Sequence, residues 1–399
     1  MEPRKSTPAT NVSTINRRQA LGWLGAAGTV AALAPGIAPA AKPAPLRVLI
    51  LGGTAFLGPA LVEQALDAGH RVTLFNRGKT APDLFKGVEQ VETLLGDRNN
   101  QLETLQGREW DLVIDTSGYV PRQVRLSAEL LAPRVKHYVF ISSISVYAAF
   151  AKPNDETSPV ARLTDPTVEQ ITGETYGGLK ALCEEAAEKA MPKRVTNIRP
   201  GLIVGPRDRT DRFTYWPARI DAGGEVLAPG SPQDGVQWVD VRDLAAFVLR
   251  TGEQRLAGVF NACSAPEQFT MGALLDSCRR VSGSDAKFTW ADSTFLAGQQ
   301  VAPWSDMPAW IPPEGEEAAA SLNSTQRATA AGLHIRTVDD TVRATLEWHR
   351  QRPEAQRLKL RSGLTAEREA AVLAAWHSKQ AGQVPAAAAK TPAEPPKRD

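Results

Sequence analysis

Cysteine is scarce in this chain: Cys183, Cys263 and Cys278 are its only three in 399 residues. Three scattered thiols cannot build a disulfide framework, and without a C-x-x-C pair they suggest no zinc site. The five histidines are equally dispersed, so no metal site is expected. A surplus of one charge is missing too. Against 46 Lys and Arg stand 44 Asp and Glu, a net charge of +2 that leaves no electrostatic footprint for nucleic acid or an anionic membrane. The expected partner is a small molecule, with a second copy of the chain also allowed. No unit repeats at a fixed period, which argues against a solenoid or propeller. Long hydrophobic runs are absent as well: the apolar stretch at 21–34 is diluted by glycine and falls short of the ~18 residues a spanning helix needs.

That stretch has a context. Arg17 and Arg18 precede it and Ala38-Pro39-Ala40 follows, the arrangement of an export signal with a small-residue cleavage site. Paired arginines resemble the signals of the twin-arginine pathway, which carries proteins already folded and so can carry one with its ligand inside. The expected localisation is periplasmic or otherwise exported by that pathway, with no stable membrane insertion after processing; an uncleaved anchor is the alternative.

Beyond residues 1–45, taken as signal and linker, about 350 residues remain, enough for one domain with a sizeable second lobe. The runs LRVLIL, RVTLF, WDLVID, HYVFIS and RVTNIRP are rich in Val, Ile and Leu, as strands buried on both faces are. Between them GPALVEQALDAG, PRQVRLSAELLAPR and YGGLKALCEEAAEKA carry helical patterns. Strands alternating with helices predict an α/β fold with a Rossmann-like, doubly wound parallel sheet. That domain is assigned to 46–200, with 236–262, in VQWVDVRDLAAFVLR and GVFNACS, returning to extend the sheet. The Pro-, Gly- and Trp-rich pieces at 201–235 and 263–352 predict a smaller C-terminal substrate lobe over the carboxyl edge of the sheet. Residues 353–399 are expected to hold one amphipathic helix, in TAEREAAVLAAWHSK, and a disordered Ala/Pro/Lys-rich end that cannot bury a core.

LGGTAFLG, at 51–58, joins the first strand to the first helix. A turn entering a helix offers unpaired backbone N–H groups and a positive dipole end to a pyrophosphate, and Gly52, Gly53 and Gly58 would let it approach closely. Pro59 suits the first helical turn. The middle glycine of a G-x-x-G-x-x-G pattern is missing; Ala55 stands there, tolerable where φ is negative. Alone, such a loop is also what a plain tight turn needs. A second signal lies in TYGGLK. Tyr176 and Lys180 are four apart, on one face of a helix, where an ammonium favours a phenolate able to exchange a proton with a carbonyl or alcohol oxygen. In the preceding turn FISSISVYA, Ser143 can hydrogen-bond the same oxygen, while Ser142 or Ser145 caps the turn.

Together LGGTAFLG, SSISVY, DETSPV, YGGLK, RPGLIVGP, VDVRDLA and FNACS, in this order and spacing, resemble the extended short-chain dehydrogenase/reductases, the NAD-dependent epimerase/dehydratase group. The resemblance implies an NAD(P)-dependent oxidoreductase or epimerase acting by hydride transfer on a carbonyl or alcohol of a small molecule, with a sugar or sugar nucleotide among the candidates. It implies Ser143, Tyr176 and Lys180 as the catalytic triad. Around the dinucleotide it implies Gly52, Gly53, Thr54, Phe56, Leu57, Gly58, Thr116, Ser117 and Gly118, with Tyr176 and Lys180 reaching it too. Asp97 and Arg98 would lie near the adenine and Pro200 beside the nicotinamide. The loop GGTAFLG, with LFNRGKT after the second strand, is more similar to the atypical branch that includes chloroplast stem-loop-binding proteins. Members of that branch have nucleic-acid roles, so a non-catalytic binding protein is the second reading. The intact Tyr176/Lys180 pair and the absent basic surplus favour the enzyme.

Two missing carboxylates narrow the chemistry. An NAD-selective site usually ends its second strand on an acidic residue that binds the ribose 2′-hydroxyl; here Asn76, Arg77, Gly78 and Lys79 follow. Two cations there would hold a 2′-phosphate, which makes NADP(H) the favoured cofactor, with NAD(H) the alternative if the turn is merely solvated. Sugar-nucleotide 4,6-dehydratases, which resemble this sequence, carry an acidic pair straight after the catalytic hydroxyl residue. Ile144 and Ser145 stand there, so water elimination lacks its acid and base. Substrate contacts are less defined. Arg207, Arg209, Arg212 and Tyr215 in GPRDRTDRFTYW either bind a phosphate or carboxylate, or form with Asp208 and Asp211 a self-neutralised turn. Trp304 and Trp310 either stack on a ring-shaped substrate or pack beneath a loop. Residues 148–172, long and unpatterned, read as a lid over a cleft.

Overall fold

The computed structural model describes residues 44–383; the expected export signal and the Ala/Pro/Lys-rich end fall outside the described residues. The apolar runs form strands β1 (Arg47–Leu51), β2 (Arg71–Asn76), β4 (Trp110–Asp115), β5 (Val135–Ile141) and β6 (Val195–Pro200). β3 (Val91–Leu95) has no apolar run to announce it, because it is the edge strand and three of its five residues face solvent. With β11 (Gly258–Ala262) these make a seven-stranded parallel sheet in the order β3-β2-β1-β4-β5-β6-β11. The chain winds outward from β1 to β3 and then crosses back to put β4 on the other side of β1. A crevice opens where the winding reverses, above the carboxyl ends of β1 and β4, the usual ligand position in such sheets.

Helices cover both faces. α1 (Leu57–Asp67) and α5 (Val241–Glu253) pack together on one, and α2 (Pro121–Leu131) and α3 (Gly173–Ala190) on the other. Successive residues of β1 serve the two layers in turn: Val48 and Ile50 meet Leu61, Val62 and Ala65, while Leu49 and Leu51 join the cluster of Val124, Ala128 and Cys183. Each such aliphatic side chain contributes about 1.5–3 kcal/mol by its burial.

The second lobe is built from paired short strands: β7 (Leu202–Val204) with β10 (Trp238–Asp240), β8 (Glu225–Pro229) with β13 (Lys287–Ala291), and β9 (Gly235–Val236) with β12 (Phe269–Thr270). The stretch VQWVDVRDLAAFVLR therefore divides. Its strand residues pair with β7 and β12 rather than the main sheet, its helix α5 covers that sheet, and only GVFNACS adds a strand, β11. The helices α4 (Tyr215–Asp221), α6 (Met271–Ser282), α7 (Ser293–Gly298), α8 (Gln326–Ala330), α9 (Val338–Arg350), α10 (Glu354–Arg357) and α11 (Ala366–Gln383) complete the described chain. Trp216 and Trp238 anchor the lobe's core, and Trp238 stacks on Phe269 at 4.5 Å. α11 belongs to that core: Val372 and Leu373 enter it, and the buried Glu369 accepts the Leu227 N–H at 3.0 Å and pairs with Arg219. Among the described residues no helix is long and apolar enough to cross a membrane.

Candidate active site

Past Leu51 the chain turns over the sheet. Gly52 and Gly53 sit at φ +110° and +92°, where side chains are strained. A Cβ at Gly58 would lie 2.4 Å from the Gly53 backbone, so the first turn of α1 rests directly on the loop. Ala55 avoids positive φ, and the strain falls instead on Phe56, at +42°. The first turn of α1 has no side-chain cap and no acidic residue, which leaves its N–H groups and dipole end to an anion.

Neighbouring strand ends fix this loop. The Gly52 N–H donates to the Phe75 carbonyl at 2.9 Å; Asn76 Nδ2 donates to the Gly52 carbonyl at 3.3 Å while its Oδ1 accepts the Gly78 N–H at 2.8 Å. The Thr116 and Ser117 hydroxyls both donate to the Leu51 carbonyl, at 2.9 and 3.0 Å. Arg98 is largely occupied from below: its guanidinium pairs with Asp115 at 2.5 and 2.7 Å and donates to Ser127 at 2.8 Å. Asp115 also accepts from the Tyr138 hydroxyl and the Ser117 N–H. Arg98 thus supports the 115–118 turn and meets the cavity only as part of its wall. Asp97, whose carboxylate accepts both N–H groups of Asn99, lines the same wall. Arg77 and Lys79 also line it, exposed and paired with no carboxylate among the described residues.

Beyond β5, Ser143 accepts the Ser145 N–H at 3.1 Å and so caps the turn at 144–146. α3 starts from a reciprocal cap between Thr172 and Thr175. Its approach depends on Gly177, where a Cβ would lie 2.0 Å from the Ser145 carbonyl; this closeness brings Tyr176 beside Ser143. Burial raises the Tyr176 pKa above the usual tyrosine value and Tyr119 adds to it, while the Ser143 hydroxyl and Arg212 work the other way. Lys180 is 3% exposed, donates to the carbonyls of Gly118 at 2.8 Å and Ile141 at 2.5 Å, and stands 4.3 Å over the Phe140 ring. Burial lowers its pKa to about 8. Two of its three donors are engaged, which leaves one for a hydroxyl in the cavity.

All three residues face one cavity of about 730 Å³, which runs from the glycine loop to Pro200, Arg212 and Trp304. That lies within the ~300–1,000 Å³ usual for small-molecule sites. Gly118 stays behind the wall and acts through its carbonyl. Of the substrate candidates only Arg212 reaches the cavity. Arg209 faces solvent away from it, Tyr215 is buried in the second core and Arg207 pairs with Glu63. The two tryptophans also part: Trp310 is buried and donates to Asp234 at 2.7 Å, while Trp304 lines the cavity. Residues 148–172 do not line it. They are tied elsewhere, with the Asn154 carbonyl accepting the Ser324 N–H and Glu156 accepting the Asn261 N–H, so the expected lid is a docked surface segment. The sequence pattern overlooks Thr80, Asn99, Tyr119 and Gln123, all on the wall. Only Tyr119 had a signal, an aromatic directly after the strand-end glycine.

The profile of the NAD dependent epimerase/dehydratase family matches residues 48–263, from β1 through β11, and so takes in most of the cavity wall. The chain belongs to that family. The cradle fits a nicotinamide dinucleotide: two positive-φ glycines, a bare helix N-terminus and a cavity reaching from them to Tyr176. The chain is 27% identical to the chloroplast stem-loop binding protein of 41 kDa b of Arabidopsis thaliana over 59% of its own length, and spans 63% of that protein. Its fold is similar to that of the Bordetella bronchiseptica enzyme WbmG in complex with NAD and UDP, with 17% identity, 78% and 96% of the two chains covered and a TM-score of 0.56. A UDP-glucuronic acid 4-epimerase from Bacillus cereus in complex with NAD is similar too, with 14% identity, 76% and 99% covered and a TM-score of 0.55.

Proposed function

We propose that the protein moves hydride between a nicotinamide and a small-molecule carbonyl or alcohol, as an oxidoreductase or epimerase, with NADP(H) its favoured dinucleotide. The observation that carries this is the meeting of Ser143, Tyr176 and Lys180 on the cavity that starts at the glycine loop. Tyr176, protonated at neutral pH as tyrosines are and held further from ionisation by burial, has the proton to give to a carbonyl oxygen. Ser143 turns its hydroxyl to the same oxygen and orients it. The free donor of Lys180 holds a ribose hydroxyl, the N–H groups of the loop hold the pyrophosphate, and Arg77 with Lys79 holds a 2′-phosphate. When bound, the nicotinamide supplies the hydride donor or acceptor. NAD in the similar structures keeps NAD(H) as the alternative, and UDP beside it in WbmG supports a sugar nucleotide as one candidate substrate. Ile144 and Ser145, where a dehydratase needs carboxylates, argue against water elimination.

Tyr176→Phe tests the reading, because it removes only a hydroxyl: nucleotide binding is expected to persist while turnover falls by about 10²–10⁴. Full turnover by that variant on a substrate found by screening would end the proposal. Mass spectrometry of nucleotide released from the purified protein distinguishes NADP(H) from NAD(H). RNA bound in its place would favour the binding-protein reading that the chloroplast relative suggests.

A further inference from the structure

Arg212 stands on the cavity wall beside Tyr176. Its guanidinium lies 5.1 Å from the centroid of the Trp304 ring, and its Nε donates to Thr210 Oγ1 at 3.1 Å. Neither carboxylate of its own turn is hydrogen-bonded to it, although Asp208 lines the same cavity and acts on it through space, its own pKa raised by burial. Asp211, at φ +58°, is gripped by Arg352 at 2.7 Å and by the Arg361 N–H at 3.2 Å. Asp208 accepts the N–H and hydroxyl of Thr210, each at 2.8 Å. Trp304 is fixed as well, at φ +66°, with its N–H shared between the Met307 and Trp310 carbonyls. The turn therefore holds a half-buried cation whose two Nη groups have no hydrogen-bond partner among the described residues. Burial lowers its pKa, against the pull of Asp208 and Tyr176, so the charge is carried at a cost that an anionic ligand would offset.

We infer that Arg212 binds a carboxylate of the substrate close to the carbon whose oxygen meets Tyr176, which makes the substrate a hydroxy or keto acid, sugar acids included. This rests on the redox role proposed for Tyr176. One planar guanidinium fork matches the two oxygens of a carboxylate. A phosphate, with nearly twice the charge, calls for further cations, and the nearest in sequence are diverted: Arg207 to Glu63, Arg209 to solvent. Trp304 stands beside the guanidinium and lines the same cavity.

Two measurements on the full chain test this. In the first, phenylglyoxal modification of Arg212 is followed by peptide mass spectrometry in the presence of glycolate or D-glucuronate, their methyl esters, or inorganic phosphate. The acids are expected to protect at concentrations at least about tenfold lower than the esters. Equal protection by the esters, or stronger protection by phosphate, overturns the assignment. In the second, kcat and KM are measured for substrates found by nicotinamide absorbance. Arg212→Ala is expected to raise KM for an acid about 10- to 100-fold, with a smaller fall in kcat from the loss of its charge beside Tyr176 and nucleotide binding unaltered, and Arg212→Lys to recover part of the loss. A neutral preferred substrate, or an unmoved KM, overturns the inference. Failure of the redox reading looks different: Tyr176→Phe would keep its turnover while acids still protected Arg212.

Discussion

An ammonium buried as deeply as that of Lys180 gives up its proton readily, with a pKa of about 8 instead of the usual 10.5. The unfolded chain keeps the proton up to the higher value, so between the two the unfolded state binds more protons than the native one. Stability contributed at this position therefore rises with pH across that window, and the penalty of burying the charge is fully present below it. Melting temperatures of the wild type and Lys180→Met, compared without nucleotide, are expected to shift in favour of the wild type as pH goes from about 8 to about 10. A difference that stays flat would mean that the ammonium is solvated. The same site shows what residue spacing can reveal. Tyr176 and Lys180 announce a shared helix face by their i, i+4 separation, but that Lys180 spends two donors on the Gly118 and Ile141 carbonyls depends on chain 62 and 39 residues away.

At the scale of elements, the junction of β1 and α1 depends on a contact with no slack. A methyl group on Gly58 would press on the Gly53 backbone, which has no flexible end to move aside. Gly58→Ala is expected to leave the sheet folded, as read by circular dichroism, and to weaken dinucleotide binding at least about tenfold by lifting α1 from the loop. Unchanged affinity would show that the helix can retreat without cost. The turn after β2 carries a second test. Arg77→Ala is expected to weaken NADPH by about 1.5–3 kcal/mol, the worth of a charged hydrogen bond, and to leave NADH nearly unchanged. Equal losses would mean that the basic turn serves solvent. The central strands were legible because burial on both faces demands unbroken Val, Ile and Leu; β3 was not, because an edge strand may stay polar and still pair.

For the whole molecule, the alternation of strand and helix carried the parallel, doubly wound class of the main sheet, whereas the second lobe had to be seen. Its pieces are joined by contacts between distant positions, such as Arg352 with Asp211 and Glu369 with the Leu227 N–H, and no local pattern foretells such partners. Tyr215 illustrates the result: read locally it sat among arginines near a site, but α4 turns it into a core. The docking of 148–172 was hidden for the same reason. Export belongs to this scale too, since the twin-arginine route we propose would carry the folded whole. Replacing Arg17 and Arg18 together by Lys is expected to leave an active, unprocessed precursor inside the cell, checked by fractionation and N-terminal sequencing. Normal processing of the double variant would reject that route.

Asn76 bears on how such an enzyme can drift. Its amide gives a proton to the Gly52 carbonyl and takes one from the Gly78 N–H, so both ends of the side chain are structural. An aspartate there would keep the second bond but set a carboxylate oxygen against the Gly52 carbonyl, at the mouth of the phosphate loop. The commonest acidic contact to an unphosphorylated ribose would thereby cost the loop one of its anchors. A chain that gained that carboxylate would have to re-anchor the loop by other means, so ribose recognition at this position is tied to the architecture of the loop and not adjusted separately from it.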